Sequence, residues 1–251
     1  MSGARRDSRT STFPLASAAN SQTELQQMQA VQPADVAKGA PRRAEAVALA
    51  LVLVAAFHAL PGWIVGFVPA MWMFVHLSAA GFSNLWDAVS VGMPLVLCLA
   101  TPVRSGLRIG VWRGHAWAVL GICALPVVAT AVIYPLTSQP FTHDRVGGWL
   151  ISPAAQELLF TGYLYGLLDR AFSGSIGRRI HVRYAVPLTA VFFMLWHVAN
   201  FAGIQPSYVV FQLTYTFIGG AWLLLVRQLT GSLMPGIVTH MAVNFLAWAG
   251  W

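Results

Sequence analysis

From His115 to Leu136 the chain reads HAWAVLGICALPVVATAVIYPL, with no acidic residue, lysine or arginine. About 20 apolar residues suffice for a helix to cross a hydrocarbon core roughly 30 Å thick, so this stretch reads as a membrane span. Similar runs lie at about 149–168, 185–204, 207–226 and 233–250. Upstream, residues 46–101 are also apolar but are punctuated by Pro61, Pro69 and Pro94, which leaves room for two or three crossings. Composition agrees: the 251 residues are 57% hydrophobic and 9% charged, whereas soluble domains carry about a quarter charged residues. A chain with so little polar surface cannot cover a water-exposed fold. The expected architecture is all-α, a polytopic transmembrane helix bundle of about seven or eight spans.

A formal charge of +7 would suggest nucleic acid in a soluble protein. Here the arginines stand between apolar runs: Arg42 and Arg43; Arg104, Arg108 and Arg113; Arg170, Arg178, Arg179 and Arg183; then Arg227. That is a positive-inside pattern with anionic lipid headgroups as counter-charge, and it argues against a nucleic-acid partner. If the first two clusters are both cytoplasmic, an even number of spans separates them. This selects two, with part of Val68–Asp87 interfacial. The N-terminal tail, the 103–114 loop and the 169–184 loop are expected on that same side. Residues 1–43 are rich in Ser, Ala, Gln and Pro, lack an apolar run long enough for a secretory signal, and read as a flexible cytoplasmic tail. Residues 44–251 read as one membrane domain. Cys98 and Cys123 fall in apolar stretches and read as small buried hydrophobes.

An ionisable group inside a span costs a few kcal/mol, so each one is a functional candidate. Glu157 is the one acid well inside a clear span, in Ser152-Pro153-Ala154-Ala155-Gln156-Glu157-Leu158-Leu159-Phe160-Thr161-Gly162. His197 follows Phe193 by four residues, and Asn244 follows His240 by four, which puts each pair on one helix face. At about 1.5 Å per residue, Glu157 and His197 both come out roughly 12 Å below the outer ends of their spans, with His240 and Asn244 bracketing the middle of theirs. These groups could be helix–helix hydrogen-bonding residues or a proton relay of a transporter. They are also what water-mediated peptide hydrolysis needs: a carboxylate to take a proton, and imidazoles and an amide to hydrogen-bond the oxyanion. No internal repeat of the kind many transporters carry stands out. No cofactor is expected; a divalent metal such as zinc stays open, because His, His and Glu ligate zinc in some peptidases, although no HExxH pair is present.

These residues resemble the CAAX-protease and bacteriocin-processing family, marked by Glu-Glu-x-x-x-Arg, then Phe-x-x-x-His, then His-x-x-x-Asn. Phe193 and His197 match the second motif, and His240 and Asn244 the third. Thr230-Gly231-Ser232-Leu233-Met234-Pro235-Gly236-Ile237 is similar to the usual approach to that histidine. The resemblance covers roughly residues 150–248 with motif order intact. In the first motif Gln156 replaces the first glutamate and Thr161 the arginine, while Glu157, Phe160 and Gly162 are in place. Losing one carboxylate and one guanidinium together leaves the net charge of the pocket unchanged, whereas random decay would have left a costly unpaired charge.

The resemblance implies an intramembrane endopeptidase acting on a membrane-tethered or lipid-anchored protein or peptide, in a bacterial inner membrane. Glu157 would then activate water, His197, His240 and Asn244 would assist, and Gln156, Thr161 and Phe193 would support the site. The alternative is a non-catalytic member that binds membrane partners. Elsewhere, Trp63, Trp149, Tyr163 and Trp251 read as interfacial anchors, His58 and His76 as helix-contact or interface groups, Gly219 and Gly220 as points of close helix approach, and Gln212 and Tyr215 as polar groups in the span before the third motif, with no site role assigned.

Overall fold

The computed structural model describes residues 42–72, 79–100, 105–107, 116–133, 150–177, 181–198 and 206–249, side chains excepted at 60–72, 79–88 and 248. Helix α1 (Arg43–Trp72) starts where the Arg42 N–H donates to Glu45 Oε2 at 3.0 Å, one arm of a capping box. It runs on through Pro61 and Pro69, which punctuate the sequence without ending the helix. Helix α2 (Ala79–Ala100) follows, so two helices fill the region for which two spans are expected. His76 and the 73–78 connection lie outside the described residues, as do Trp149, Trp251 and residues 1–41.

Helix α3 (Ala116–Ile133) contains Pro126, which has no N–H to offer the Ile122 carbonyl four residues earlier. The gap is filled from outside, because the Trp222 indole N–H donates to Ile122 O at 2.9 Å. About two turns away, the Tyr215 and Thr130 hydroxyls meet at 2.8 Å. Thr130 spends its own proton on Pro126 O at 2.8 Å, so Tyr215 is the donor. Both bonds come from α7 (Pro206–Thr230). Tyr215 is therefore a helix-to-helix strut.

The centre of the bundle is a helical rod in three parts: α4 (Ser152–Gln156), a π-helical stretch Glu157–Leu164, and α5 (Tyr165–Ala171). Backbone angles stay helical through both junctions. Leu158, Leu159, Phe160, Leu164, Leu167 and Leu168 point to different sides and are all buried, as expected for a helix that is apolar all round. Tyr163 is buried with them rather than anchored at an interface; its ring faces neighbouring helices. Helix α6 (Ala185–His197) packs on α7 through Gly220, where an added Cβ would come within 2.8 Å of the Phe193 ring. Gly219, by contrast, faces open space. Helix α8 (Met234–Ala249) returns beside α3 and the rod. His58 contacts the Trp196 ring at 6.3 Å, as a helix-contact group does.

The outer faces are apolar. On α3 alone Trp117, Leu120, Leu125, Val128, Val132 and Ile133 are exposed, a concentration of apolar side chains of the kind that marks a membrane or partner contact. Among the described residues α3 and α7 are long and apolar enough to cross a membrane, with shorter apolar helices at Val89–Ala100, Ala185–His197 and Met234–Ala247.

Among the described residues, Arg43 and Arg183 stand where helix ends are joined. The Arg43 guanidinium lies 5.7 Å over the Phe172 ring, which joins the start of α1 to the end of the rod. Between the rod and α6, β1 (Ser175–Ile176) and β2 (Val182–Arg183) pair antiparallel in register Ser175 to Arg183 and Ile176 to Val182. This short ribbon is absent from the all-α expectation. Arg183 forks onto both Asp169 oxygens at 3.0 and 2.7 Å. Gln228 of α7 clamps the ribbon, accepting from Arg183 N at 3.0 Å and donating to His181 O at 2.6 Å. Arg227 departs from the expectation of a headgroup-facing charge. It is buried, and its guanidinium covers Gly106, a residue at φ 75 whose carbonyl accepts from Leu233 N at 2.9 Å. The reason is local: a glycine in that conformation leaves room for the guanidinium where any side chain would collide.

Candidate active site

Glu157 opens the π-helical stretch. The Tyr165 N–H bonds back to Phe160 O, five residues earlier, and with five-residue closure the residue stacked over Glu157 is Gly162, not Thr161. A Cβ on Gly162 would sit 3.6 Å from Glu157 O, 3.0 Å from Cys98 Sγ and 3.1 Å from Leu233 Cδ1, so only glycine fits without displacing both neighbours. Cys98 is indeed buried, and its thiol donates to Leu158 O at 3.2 Å. Cys123, by contrast, is only part-buried. Short π-helical segments are rare and recur at functional sites.

The Glu157 side chain reaches α8. Its Oε1 lies 2.8 Å from His240 Nδ1, and the side chains are 2% and 12% exposed. A carboxylate accepts, so the imidazole N–H at Nδ1 donates, which in the neutral imidazole leaves the lone pair on Nε2. Glu157 Oε2 is buried and has no hydrogen-bond partner among the described residues. It faces the first turn of α8, where a Cβ on Gly236 would stand 3.4 Å away. A helix N-terminus carries partial positive charge, so the carboxylate has an imidazole on one oxygen and a favourable dipole near the other.

His197 is buried, and its Nδ1 lies 2.8 Å from Phe193 O. A carbonyl can only accept, which again fixes the proton on Nδ1. Phe193 stands between the two histidines, 4.8 Å from the His197 ring and 6.0 Å from the His240 ring. Phe160 meets the same ring edge-on at 5.1 Å. Asn244 lies one turn beyond His240 on α8 and is half-buried. Thr161 is buried in the rod. The expected residues thus come together in part: Glu157 and His240 bond directly, Phe193 links them to His197, and no hydrogen bond joins Glu157 to His197. Gln156 is also buried, but its amide donates to Ser152 Oγ at 2.9 Å, one turn back along its own helix.

Ser152, Gly236 and Trp196 escaped sequence reasoning. Ser152 stands four residues before Gln156, a legible spacing; nothing in the sequence points to Gly236 as the neighbour of Glu157. Trp196 packs its ring 4.9 Å from His197 and 6.3 Å from Phe160. Among the described residues no three His, Cys, Asp or Glu side chains converge as a metal site would need. Glu157 and His240 offer two donors, and Phe193 separates them from His197.

Residues 138–246 match the family model described as Type II CAAX prenyl endopeptidase Rce1-like. The match spans Glu157, His197, His240 and Asn244. No curated protein and no solved structure matches the chain.

Proposed function

From the match of residues 138–246 to the Rce1-like family model, we propose that the chain is an intramembrane endopeptidase that hydrolyses a peptide bond in a lipid-anchored or membrane-tethered protein or peptide. The observation that carries this reading is the buried bond between Glu157 and His240. A carboxylate and an imidazole held 2.8 Å apart form a unit able to accept a proton from water and hold the resulting positive charge. His197 and Asn244, on the elements flanking that pair, are the proposed partners of the oxyanion. Gln156, Thr161 and Phe193 shape the walls. A metal such as zinc is not part of the proposal.

We read the chain as multi-pass, in a bacterial inner membrane, with residues 1–43 as a cytoplasmic tail preceding the 44–251 membrane domain. The meeting of Arg43, the Arg183 ribbon and Gln228 at one end supports a common side for the tail and the 169–184 loop, and the Arg227 contact with Gly106 adds the 103–114 loop. A site reached from within lipid suits a substrate with a hydrophobic anchor; the family name points to prenylated ones.

The test is hydrolysis of a farnesylated fluorogenic peptide by purified protein in liposomes. Cleavage by the wild type and its loss in His240→Ala are expected. A non-catalytic binding role is the second reading, favoured by the way Gln156 turns onto Ser152. An inert wild type alongside an active Gln156→Glu, Thr161→Arg variant establishes that second reading and overturns the first.

A further inference from the structure

Resting on the endopeptidase reading, we infer that the proton of the attacking water is taken by His240 Nε2, with Glu157 as a positioning residue behind the imidazole. Gln156, which stands where the first motif has a glutamate, has an amide that cannot accept a proton as a carboxylate does and is tied to Ser152 Oγ at 2.9 Å. Glu157 is 1% exposed. One of its oxygens accepts the Nδ1–H of His240 at 2.8 Å; the other is buried against the turn that contains Gly236. Neither is open to an incoming water. His240 keeps 12% of its side chain exposed, and with Nδ1 engaged, Nε2 is the nitrogen with a free lone pair. His197 has no such support, because its Nδ1 proton goes to a carbonyl of its own helix.

The step balances without a further reactant. Nε2 accepts one proton from water as the water oxygen bonds to the peptide carbonyl carbon and the carbonyl electron pair moves onto its oxygen. The imidazolium formed is held 2.8 Å from the Glu157 carboxylate, which offsets its charge. When the C–N bond breaks, Nε2 returns the proton to the leaving nitrogen. One water is consumed, and a carboxylic acid and an amine result.

Two reagents of opposite preference test the assignment on purified protein in liposomes, with adducts located by mass spectrometry. Diethyl pyrocarbonate acylates accessible neutral imidazole nitrogen; dicyclohexylcarbodiimide captures carboxyl groups in apolar surroundings. His240 is expected to be acylated and Glu157 to stay free of carbodiimide. In Glu157→Gln, which keeps an acceptor for the Nδ1 proton but removes the negative charge behind the imidazole, the acylation of His240 is expected to fall severalfold. Glu157→Asp, which keeps the carboxylate, should restore part of it. A carbodiimide adduct on Glu157 with His240 untouched overturns the inference, as does equal acylation of His240 in the wild type and Glu157→Gln. Labelling needs no turnover, so failure of the wild type to cleave the farnesylated peptide counts against the endopeptidase reading alone.

Discussion

Trp222→Phe removes one hydrogen-bond donor and leaves an aromatic ring in place, and the structure says what that donor is worth. Its acceptor, Ile122 O, has lost the usual intrahelical partner to Pro126. Interhelical hydrogen bonds in membrane proteins average about 0.6 kcal/mol and reach about 1.7, because an orphaned group ordinarily finds another partner. Ile122 O has no helical N–H to fall back on, so we expect a loss near the upper end, about 1.5 kcal/mol. Pro126→Ala restores an N–H four residues after Ile122. In that background Trp222→Phe should cost about 1 kcal/mol less, the difference being the coupling of a double-mutant cycle, in which the packing change from indole to phenyl cancels. Reversible unfolding of the four proteins in mixed micelles titrated with sodium dodecyl sulfate measures it. Equal cost of Trp222→Phe in both backgrounds, within about 0.3 kcal/mol, would refute the reasoning, since the proline-freed carbonyl would then not be what the indole serves.

Glu157→Gln keeps volume and hydrogen bonding but removes the charge that balances the imidazolium, so hydrolysis of a farnesylated peptide should fall by a factor of about 10² to 10⁴ while the unfolding midpoint moves little. Gly220→Ala drives a methyl into the Phe193 ring, 2.8 Å from Cδ1, and should destabilise the protein by about 1–3 kcal/mol; Gly219→Ala, facing open space, should be nearly neutral in the same assay. Thr161→Arg alone should lower the folded yield, because the π-helical register puts Gly162 rather than residue 161 over Glu157 and so denies the guanidinium its i, i+4 partner. A cysteine placed at Ser175 should resist a membrane-impermeant maleimide added outside cells while one at Ser138 reacts; equal labelling counts against the shared cytoplasmic side.

The helices were legible in this sequence because their polar residues are few, so their boundaries appear as breaks in apolar runs. The same exclusion made Glu157, His197, His240 and Asn244 stand out. What one-dimensional reasoning missed depends on contacts between distant segments. The bond from Glu157 to His240 joins residues 83 apart, and motif spacing alone left His197 an equal candidate. The π-helical stretch has no signature in Glu157–Leu164, whose composition suits an α-helix equally well. Tyr163 and Arg227 were misread for one reason: an amphipathic or charged side chain near a span end suggests an interface, and here the adjacent elements cover both.

The pairing of Glu157 with His240 also constrains how the chain is made. A charged side chain at the centre of an isolated span costs about 2.5–3.5 kcal/mol by insertion scales, and the rod that carries Glu157 leaves the ribosome well before α8. In the proposed membrane topology, the carboxylate must until then be tolerated by the translocon or by neighbouring apolar helices without its imidazole. The rod, buried once folded, thus carries its carboxylate without a partner during synthesis. Delivery of α8 completes the candidate site and relieves that stress in a single event.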